Sequence, residues 1–277
     1  MKRFLPLAGV AALVATLAAC GGGSGGSSNT TTSTSGGSAV PNPIVFCSDV
    51  TYPPEESYPT PGGQAVGSDV DIANDVAKQL GSTAQIKNTG FDGIIGALNS
   101  KRCDAIISGM NDTAQRRKQV QFVDYLSVGQ SIMVKHGNPE HITKLSDLAG
   151  KTVSVESGTT NRDFLSAASA KLQKQGRKSI SIKTFPKDTD AAAALKAGRV
   201  DAYFGDSPVA VYYANRDKSF SIGGAPIAPI PIGIALRQGD PLAGATRKAI
   251  GVLTRNGSIK KIVAKWGMTH AVTLLKK

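Results

Sequence analysis

Hydrophobic and polar residues in the region before residue 110 follow two different periods. The apolar run Ile44–Ser48 is short and continuous, which is typical of a buried strand. Between Ile72 and Leu80 large apolar residues recur every four positions, which predicts an amphipathic helix that begins near Asp69 or Asp71. The same reasoning predicts a helix around residues 94–98 and a strand at residues 105–108. Strand, helix and strand in this order indicate a parallel sheet and an α/β fold.

The alternation of strands and helices resumes after Gly150. Three prolines, Pro226, Pro229 and Pro231, interrupt it and predict an extended crossing segment. The predicted strands lie at residues 152–155, 180–185, 200–204 and 233–236, and the helices at 161–174, 191–197 and 207–215, with two more beginning at residues 241 and 258. The chain is therefore expected to contain two α/β units.

One short pattern occurs in both units with identical spacing. The first copy is Ala97-Leu98, Arg102 and Asp104-Ala105, and the second is Ala194-Leu195, Arg199 and Asp201-Ala202. Each copy combines a helix end, a tight turn and the start of a strand, which predicts two lobes of like construction. A match of five positions can also arise by chance. Under this offset Gly109 corresponds to Asp206, and both residues follow the carboxyl end of a strand.

Polar residues follow the predicted strands at the ends where open α/β sheets bind their ligands. If the two units face each other across a cleft, these residues converge. The candidate ligand-binding residues are Asp49, Tyr52, Phe91, Ser108, Gly109, Asn111, Arg116, Glu156, Thr159, Thr160 and Asp206.

The chemistry of this set suits a zwitterion. A carboxylate binds well to a planar guanidinium and to free backbone amides at a helix start, and Arg116, Asn111 and Thr160 offer both. An ammonium requires a carboxylate acceptor, for which Asp206 is placed. In a closed, dry cleft such charge-assisted bonds contribute about 1.5–3 kcal/mol each.

Each of these residues also has a structural explanation. Arg116 is followed by two further cations and could belong to a solvated basic surface. Asp206 could merely cap the helix that follows it. Tyr52 and Phe91 could stack on a ligand side chain or simply pack in the core. Spacing alone leaves these alternatives open.

Composition and charge exclude several functional classes. Of the 277 residues, 40% are hydrophobic and 19% are charged, which is typical of a globular chain. The net charge is +12, but the cations are scattered, without aromatic residues interleaved in a basic run, so nucleic acid is not the expected partner. A positive surface suits proximity to anionic lipid headgroups instead. The three histidines lack metal-ligand spacing, and no metal or cofactor is expected.

The N-terminus has the features of an export signal. Lys2 and Arg3 precede an apolar run from Phe4 to Leu17 that is too short for a stable membrane span. The sequence Leu17–Cys20 resembles the lipobox of bacterial lipoproteins, which implies a signal peptide at residues 1–19 and acylation of Cys20. An ordinary signal peptide with an incidental cysteine is the alternative. Residues 20–42, rich in Gly, Ser and Thr, are expected to form a flexible linker.

Two further cysteines, Cys47 and Cys103, could form a disulfide in an exported protein. The predicted strands place Cys47 late in one strand and Cys103 at the start of another. If these strands are parallel neighbours, the two thiols are several residues out of register. The expectation is therefore that no bridge forms.

Several segments, taken in order, resemble the polar amino-acid periplasmic binding proteins, solute-binding family 3, which serve ABC importers. The resemblance extends from about Ile44 to Gly267. Its segments are Val66–Ala73, Phe91–Leu98, Arg102–Met110, Leu145–Val153, Ser157–Thr160, Gly257–Ile262 and Lys265–Gly267.

The resemblance implies a two-lobed periplasmic-binding-protein fold of type II, with a mixed, mainly parallel sheet flanked by helices in each lobe. A two-strand hinge would join the lobes near residues 132–135 and 228–232. The first lobe would comprise residues 43–133 and 232–277, and the second residues 134–231. The implied protein is a lipid-anchored periplasmic or cell-surface monomer that delivers a free amino acid to an ABC permease.

The resemblance also assigns roles to residues. The carboxylate-binding arginine falls on Arg116 and the ammonium-binding aspartate on Asp206. The backbone amide of Thr160 would also meet the carboxylate. The side-chain pocket would be lined by Asp49, Tyr52 and Phe91.

Three positions depart from the family pattern: Phe122–Tyr125 lacks the usual proline, a second departure affects the ammonium contact, and a third affects side-chain specificity. Asn111 stands where a Ser or Thr is usual, and Glu55-Glu56 replaces the usual aromatic residue after Tyr-x-Pro. Asp49, Glu55 and Glu156 together would favour a cationic side chain such as that of lysine, arginine or ornithine. The alternative function is an enzyme on the same fold, similar to cyclohexadienyl dehydratases, with Glu156 as the acid or base.

Overall fold

The computed structural model describes residues 40–275. The predicted signal peptide, Cys20 and the linker before Val40 lie outside the described residues. Over residues 40–275, no helix combines the length and the apolar composition that a membrane span requires.

The elements within residues 40–275 alternate largely as expected. The strands are β1 (Ile44–Ser48), β2 (Thr51–Tyr52), β3 (Glu56–Ser57), β4 (Ala84–Asn88), β5 (Ala105–Ile106), β6 (Val120–Lys135), β7 (Thr152–Glu156), β8 (Ser181–Phe185), β9 (Ala202–Asp206), β10 (Phe220–Ile222), β11 (Ile227–Arg237) and β12 (Val272–Leu274). The helices are α1 (Ser68–Gln79), α2 (Ile94–Asn99), α3 (Thr160–Lys174), α4 (Asp188–Lys196), α5 (Ser207–Arg216), α6 (Leu242–Arg255) and α7 (Ser258–Lys265). The predicted helices are confirmed, with ends shifted by a few residues. Strands β2, β3, β4, β10 and β12 were not predicted, and of β6 only the crossing near residues 132–135 was expected.

The order of the strands confirms a two-lobed α/β fold. The main sheet runs β4-β1-β5-β11-β6-β9-β7-β8. The three strands at each end are parallel, whereas the long central strands β6 and β11 are antiparallel to each other. We call β4, β1 and β5 with their helices the first lobe, and β8, β7 and β9 with theirs the second lobe. Strands β6 and β11 join them.

The repeated pattern forms the same hydrogen bonds in both lobes. In the first lobe the backbone N–H of Asp104 donates to the carbonyl oxygen of Val45 at 2.8 Å, and the Asp104 carboxylate accepts from the Val45 N–H at 2.9 Å. In the second lobe Asp201 makes the same two bonds to Thr152, at 2.8 and 2.7 Å. The prediction of like construction is confirmed, because the aspartate ties the strand that follows it to the neighbouring strand.

Alternate residues of the strands enter different cores. In β1, Phe46 packs with α1, α6 and α7, whereas Cys47 packs with α2. In β9, Phe204 faces α3, whereas Tyr203 packs with α4 and α5. Successive side chains of a strand point to opposite faces, so helices cover both sides of the sheet. Each large buried side chain contributes about 1.5–3 kcal/mol through removal from water.

The expectation that Cys47 and Cys103 remain unbridged is wrong. The two residues form a disulfide, with their Cα atoms 5.7 Å apart. The predicted mismatch of register assumed that Cys103 belongs to a strand, but β5 begins only at Ala105. Cys103 lies in the bend before β5, so the chain brings its side chain towards Cys47 instead of continuing along the strand direction.

Candidate ligand-binding site

Most of the predicted site residues line one small cavity between the two lobes. The lining residues are Asp49, Tyr52, Phe91, Gly109, Asn111, Glu156, Thr159, Asn161 and Asp206. Of the other predicted residues, Ser108 and Thr160 hydrogen-bond to lining residues, and Arg116 contacts the lining residues Asn111 and Phe91 without lining the cavity itself. A wider apolar depression beside α3 contains Phe164 and Lys171 but offers no carboxylate. It therefore cannot pair both charges of a zwitterion.

Arg116 is buried behind residues that line the cavity and does not belong to a solvated basic surface. It lies in a short helical turn, where its backbone N–H donates to the hydroxyl of Thr113 at 3.2 Å. Its guanidinium donates to the carbonyl oxygens of Asn111 at 2.9 Å and Gly158 at 3.2 Å, and its Cζ is 5.2 Å from the ring centre of Phe91. Burial lowers the pKa of Arg116, and the negative charge of Asp206 opposes that effect.

The side chain of Asp206 faces the cavity and does not cap α5. Although Asp206 is the residue before the first turn of α5, its carboxylate makes no capping hydrogen bond. It accepts instead from the side-chain amide of Asn161 at 3.1 Å, and its backbone N–H donates to the Tyr52 hydroxyl at 3.3 Å. Burial raises the pKa of Asp206 to about 6, while the Asn161 and Tyr52 hydrogen bonds and the positive charge of Arg116 act in the opposite direction.

Asp49 is held at the end of β1 by hydrogen bonds to both of its oxygens. The Thr51 hydroxyl donates to one oxygen and the Phe91 backbone N–H to the other, each at 2.7 Å. Burial raises the pKa of Asp49, and these bonds partly offset that rise. The carboxylate is thus oriented for a further partner on the cavity side.

Glu156, at the end of β7, is the least satisfied carboxyl group of the cavity wall. One of its oxygens, Oε1, is buried and has no hydrogen-bond partner among the described residues. Burial raises the pKa of Glu156 well above its ordinary value, and the charges of Asp188, Asp49 and Asp206 raise it further.

The neighbouring amides are also incompletely paired. The Thr160 hydroxyl donates to the side-chain oxygen of Asn111 at 2.5 Å. Within residues 40–275, Nδ2 of Asn111 and Oδ1 of Asn161 are buried without partners. The cavity wall therefore has an unpaired donor beside Arg116 and unpaired acceptors near Asp206 and Glu156. Because a buried unpaired polar atom costs about 1–3 kcal/mol, this wall is suited to a polar, charged ligand.

Asn161 is the lining residue that the sequence reasoning missed. It follows Thr160 in the first turn of α3, where an asparagine resembles a surface residue. The one sequence signal that could have identified Asn161 is its position at the start of a helix that follows a strand end, where the other predicted site residues also lie. Thr159, by contrast, was predicted, but its hydroxyl is used locally. It accepts from the Arg162 N–H at 3.2 Å and donates to the Glu156 carbonyl oxygen at 2.8 Å, which fixes the start of α3.

A second layer of buried carboxyl groups supports the first-lobe side of the cavity. The Ser108 hydroxyl accepts from the Asp49 backbone N–H at 2.9 Å and donates to Glu56 at 2.7 Å. The Gly109 N–H donates to Asp69 at 2.7 Å. These bonds position the loop after β5.

Carboxyl groups outnumber cations among the buried ionisable groups. Among the described residues, Arg116 is the one buried cation, and the Asp112 carboxylate pairs with exposed Arg117. The remaining buried carboxyl groups, which form no ion pair within residues 40–275, are Asp49, Glu55, Glu56, Asp69, Glu156, Asp188 and Asp206. No cluster of three or more metal-ligating side chains is arranged as a metal site in this part of the chain.

Residues 44–269 match the family described as bacterial extracellular solute-binding proteins, family 3. The chain belongs to this family. It is 30% identical over 219 residues to the L-cystine-binding protein TcyJ of Escherichia coli strain K12, covering 78% of this chain and 79% of that protein. It is 32% identical to the L-arginine-binding protein of Pseudomonas aeruginosa, covering 82% and 89%.

Solved structures agree with the family assignment. An ancestral arginine-binding protein bound to arginine is 36% identical, with a TM-score of 0.74 and coverage of 82% of this chain and 98% of that one. The ancestral amino acid-binding protein AncCDT-1, a precursor of cyclohexadienyl dehydratase, is 32% identical, with a TM-score of 0.73 and coverage of 81% and 95%. This family 3 protein is therefore an amino-acid-binding component of an ABC transporter, and its named relatives are binding proteins.

Proposed function

We propose that this family 3 protein binds a cationic amino acid, with arginine as the first candidate. The observation that carries the proposal is the excess of buried carboxyl groups around the cavity, with an unpaired oxygen on Glu156. A cationic side chain would supply the charge and the hydrogen-bond donors that this wall lacks.

The α-carboxylate and α-ammonium groups of the ligand would bind at opposite sides of the cavity. The carboxylate would accept from the Arg116 guanidinium and from the free Nδ2 of Asn111. The ammonium would donate to Asp206 and to the free Oδ1 of Asn161. The ligand would then lie between the rings of Tyr52 and Phe91, which both line the cavity.

The ligand's side-chain cation would be bound by Asp49 and Glu156. Both carboxyl groups line the cavity, and Asp49 raises the pKa of Glu156 because the two groups are close. A guanidinium or ammonium between them would relieve this repulsion. Relatives named for arginine support the assignment, but the ancestral protein has also been solved with glutamine, so affinity must be compared across both charge classes.

The wider proposal concerns location and delivery. Acylation at Cys20 would hold the mature protein at a membrane, and residues 20–42 would form the tether. The lobes, residues 43–133 with 232–277 and residues 134–231, would close over the amino acid by a hinge in β6 and β11. The closed monomer would then dock on its permease, because ligand binding favours the closed state.

Isothermal titration calorimetry with a panel of amino acids tests the proposal. The panel is arginine, lysine, ornithine, glutamine, glutamate and cystine, at pH 7.5. We expect the cationic ligands to bind at least about tenfold more tightly than glutamine, since a charge-assisted pair with a buried carboxylate contributes about 1.5–3 kcal/mol. Tighter binding of glutamate than of arginine would contradict the assignment.

An enzymatic function has one specific observation in its favour. Glu156 is buried, has a raised pKa and lines the cavity, as a general acid would. A structural relative is a precursor of cyclohexadienyl dehydratase, and that precursor is itself named an amino acid-binding protein. We propose binding without turnover. Incubation with prephenate or arogenate should yield no product, and product formation that is lost in Glu156→Gln would establish the enzyme instead.

A further inference from the structure

The C-terminal helices carry a strongly asymmetric charge. From Pro241 to Leu275 there is no Asp or Glu, whereas α6 and α7 contain six cationic residues. All six are exposed: Arg247, Lys248, Arg255, Lys260, Lys261 and Lys265. We call these six side chains the α6–α7 basic face.

Packing of the two helices fixes this asymmetry. Residues Ile250 and Leu253 of α6, and Ile259 and Val263 of α7, are buried in the core of the first lobe. The cations lie at the intervening positions, so each helix buries an apolar side and exposes a basic one. The exposed sides contain one large hydrophobic residue, Val252, at 37% exposure.

The charge of this face is mostly uncompensated. Lys265 pairs with Asp71 at 2.7 Å. Within the described residues, the other five cations of the face form no ion pair. Ion pairs such as Lys196 with Asp217 and Arg237 with Asp240 occur elsewhere in the described chain. Five unpaired cations on two consecutive helices produce a local positive potential that attracts polyanionic surfaces.

The described chain begins beside this face. Val40 and Pro41 lie around one surface depression with Pro241, Leu242 and Ala245 at the start of α6. Arg247 and Lys248 follow in the next turn of the helix, and α6 is about 20 Å long. The segment that leads back to Cys20 therefore joins the folded part next to the basic face. A flexible tether at this point would keep the face within reach of the surface to which it is anchored.

We propose that the α6–α7 basic face lies against the anionic phospholipid headgroups of the membrane that anchors this protein. The proposal rests on the lipid-anchored location proposed above. Charge complementarity and the position of Val40 favour lipid over a protein partner, because a protein interface needs a central apolar or aromatic anchor and the face offers only Val252. The contact is electrostatic and acts within a Debye length of about 8 Å at physiological salt.

Vesicle sedimentation with the purified full-length chain tests this contact. Cys20→Ser in every sample removes the acylation site, and neutral phosphatidylcholine vesicles measure the binding that does not depend on lipid charge. We expect binding to vesicles with 30% phosphatidylglycerol to be about tenfold tighter at 50 mM salt, and this increment to be lost at 500 mM. The triple variant Arg255→Glu, Lys260→Glu, Lys261→Glu should abolish the increment.

A matched control separates this face from net charge. The triple variant Lys171→Glu, Lys174→Glu, Arg177→Glu changes the charge equally at exposed positions on and just after α3. It should retain most of the increment. Equal losses in both variants, or no preference for anionic vesicles, would overturn the proposal. The proposal would also be overturned if the Arg255→Glu, Lys260→Glu, Lys261→Glu variant bound vesicles normally but no longer supported amino-acid uptake in cells. That result would assign the face to a protein partner.

The arginine affinity of each variant, measured on the same samples, distinguishes this proposal from the proposed function. Loss of vesicle binding with unchanged arginine affinity supports the membrane contact in a folded protein. If the charge reversal unfolds the chain, Lys260→Gln with Lys261→Gln replaces it and should reduce the increment about threefold or more. If no variant and no wild-type sample bound any amino acid, the proposed function would be contradicted, while the vesicle result would still test the membrane contact.

Discussion

The guanidinium of Arg116 donates to the carbonyl oxygen of Gly158 at 3.2 Å, across the boundary between the two lobes. Gly158 approaches the first lobe so closely that a Cβ atom at its position would lie 2.7 Å from a carboxylate oxygen of Asp92. The proposed carboxylate-binding side chain therefore also contributes to the contact between the lobes. We therefore expect ligand binding and lobe closure to depend on the same residue.

Replacement of Arg116 by alanine should lower arginine affinity at least about tenfold, because a charge-assisted pair is lost in a buried site. Titration calorimetry measures the change. The control is Arg117→Ala, since Arg117 is the neighbouring residue but is exposed and pairs with Asp112. Its removal should change affinity less than about twofold. Comparable losses in the two variants would contradict the assigned role of Arg116.

Replacement of Glu156 by glutamine should alter selectivity between ligands. Arginine affinity is expected to fall about tenfold, because the side-chain cation loses a buried anionic partner. Glutamine affinity should stay within about twofold, since a neutral side chain gains little from that charge. Exposed Glu140→Gln serves as the control and should change neither value. Equal losses for both ligands would mean that Glu156 acts only on the structure.

The pH dependence of stability and binding should have opposite signs. Burial raises the pKa of Asp206 to about 6 and that of Asp188 to about 7. Between about pH 4 and 7 the folded state then binds more protons than the unfolded state, so its stability from these groups falls as pH rises. A cationic ligand needs Asp206 ionised, so its affinity rises with pH.

Thermal unfolding at pH 5 and pH 8 measures both effects. Without arginine, these groups should make the melting temperature higher at pH 5. The increase caused by arginine should be larger at pH 8, because ligand binding stabilises the folded state by mass action. Asp206→Asn should reduce the pH dependence of the arginine-induced increase. An increase of equal size at both pH values would count against ammonium binding by Asp206.

Gly109 should tolerate no side chain. It has a φ of +48°, and a Cβ atom would lie 3.0 Å from the Tyr52 ring. Gly109→Ala is expected to destabilise the fold by about 1–3 kcal/mol and to weaken arginine binding, because Tyr52 must move. Gly96→Ala is the control: its Cβ meets nothing within 4 Å in α2. Chemical denaturation should show that variant unchanged or stabilised by up to about 1 kcal/mol.

Strong periodicity made most of the fold predictable. The repeat around Asp104 and Asp201 indicated two like lobes, and both aspartates form equivalent hydrogen bonds. Strand β4 escaped prediction because this edge strand is half-exposed and Ile86 is its only large apolar residue. The pattern of hydrophobic residues carries little information about such a strand, whose position depends on pairing with β1.

The candidate site was predictable where residues follow strand ends. Glu56, Asp69 and Asp188 were missed as buried groups, because a carboxylate is normally exposed and only three-dimensional packing covers these three. Whether Asp206 caps a helix or faces the cavity was likewise undecidable from spacing. The answer depends on the amide of Asn161, which belongs to a different element.

Because Cys47 and Cys103 form a disulfide, the compartment in which the protein is made should affect its ligand binding. Cys47 lies two residues before Asp49, and the Asp49 N–H is held by Ser108, which follows the strand that Cys103 precedes. Two preparations with identical sequence, one made in a reducing cytosol and one exported, would thus differ in how firmly this wall of the cleft is fixed. Affinities are comparable between laboratories only when the thiol content of each sample has been measured.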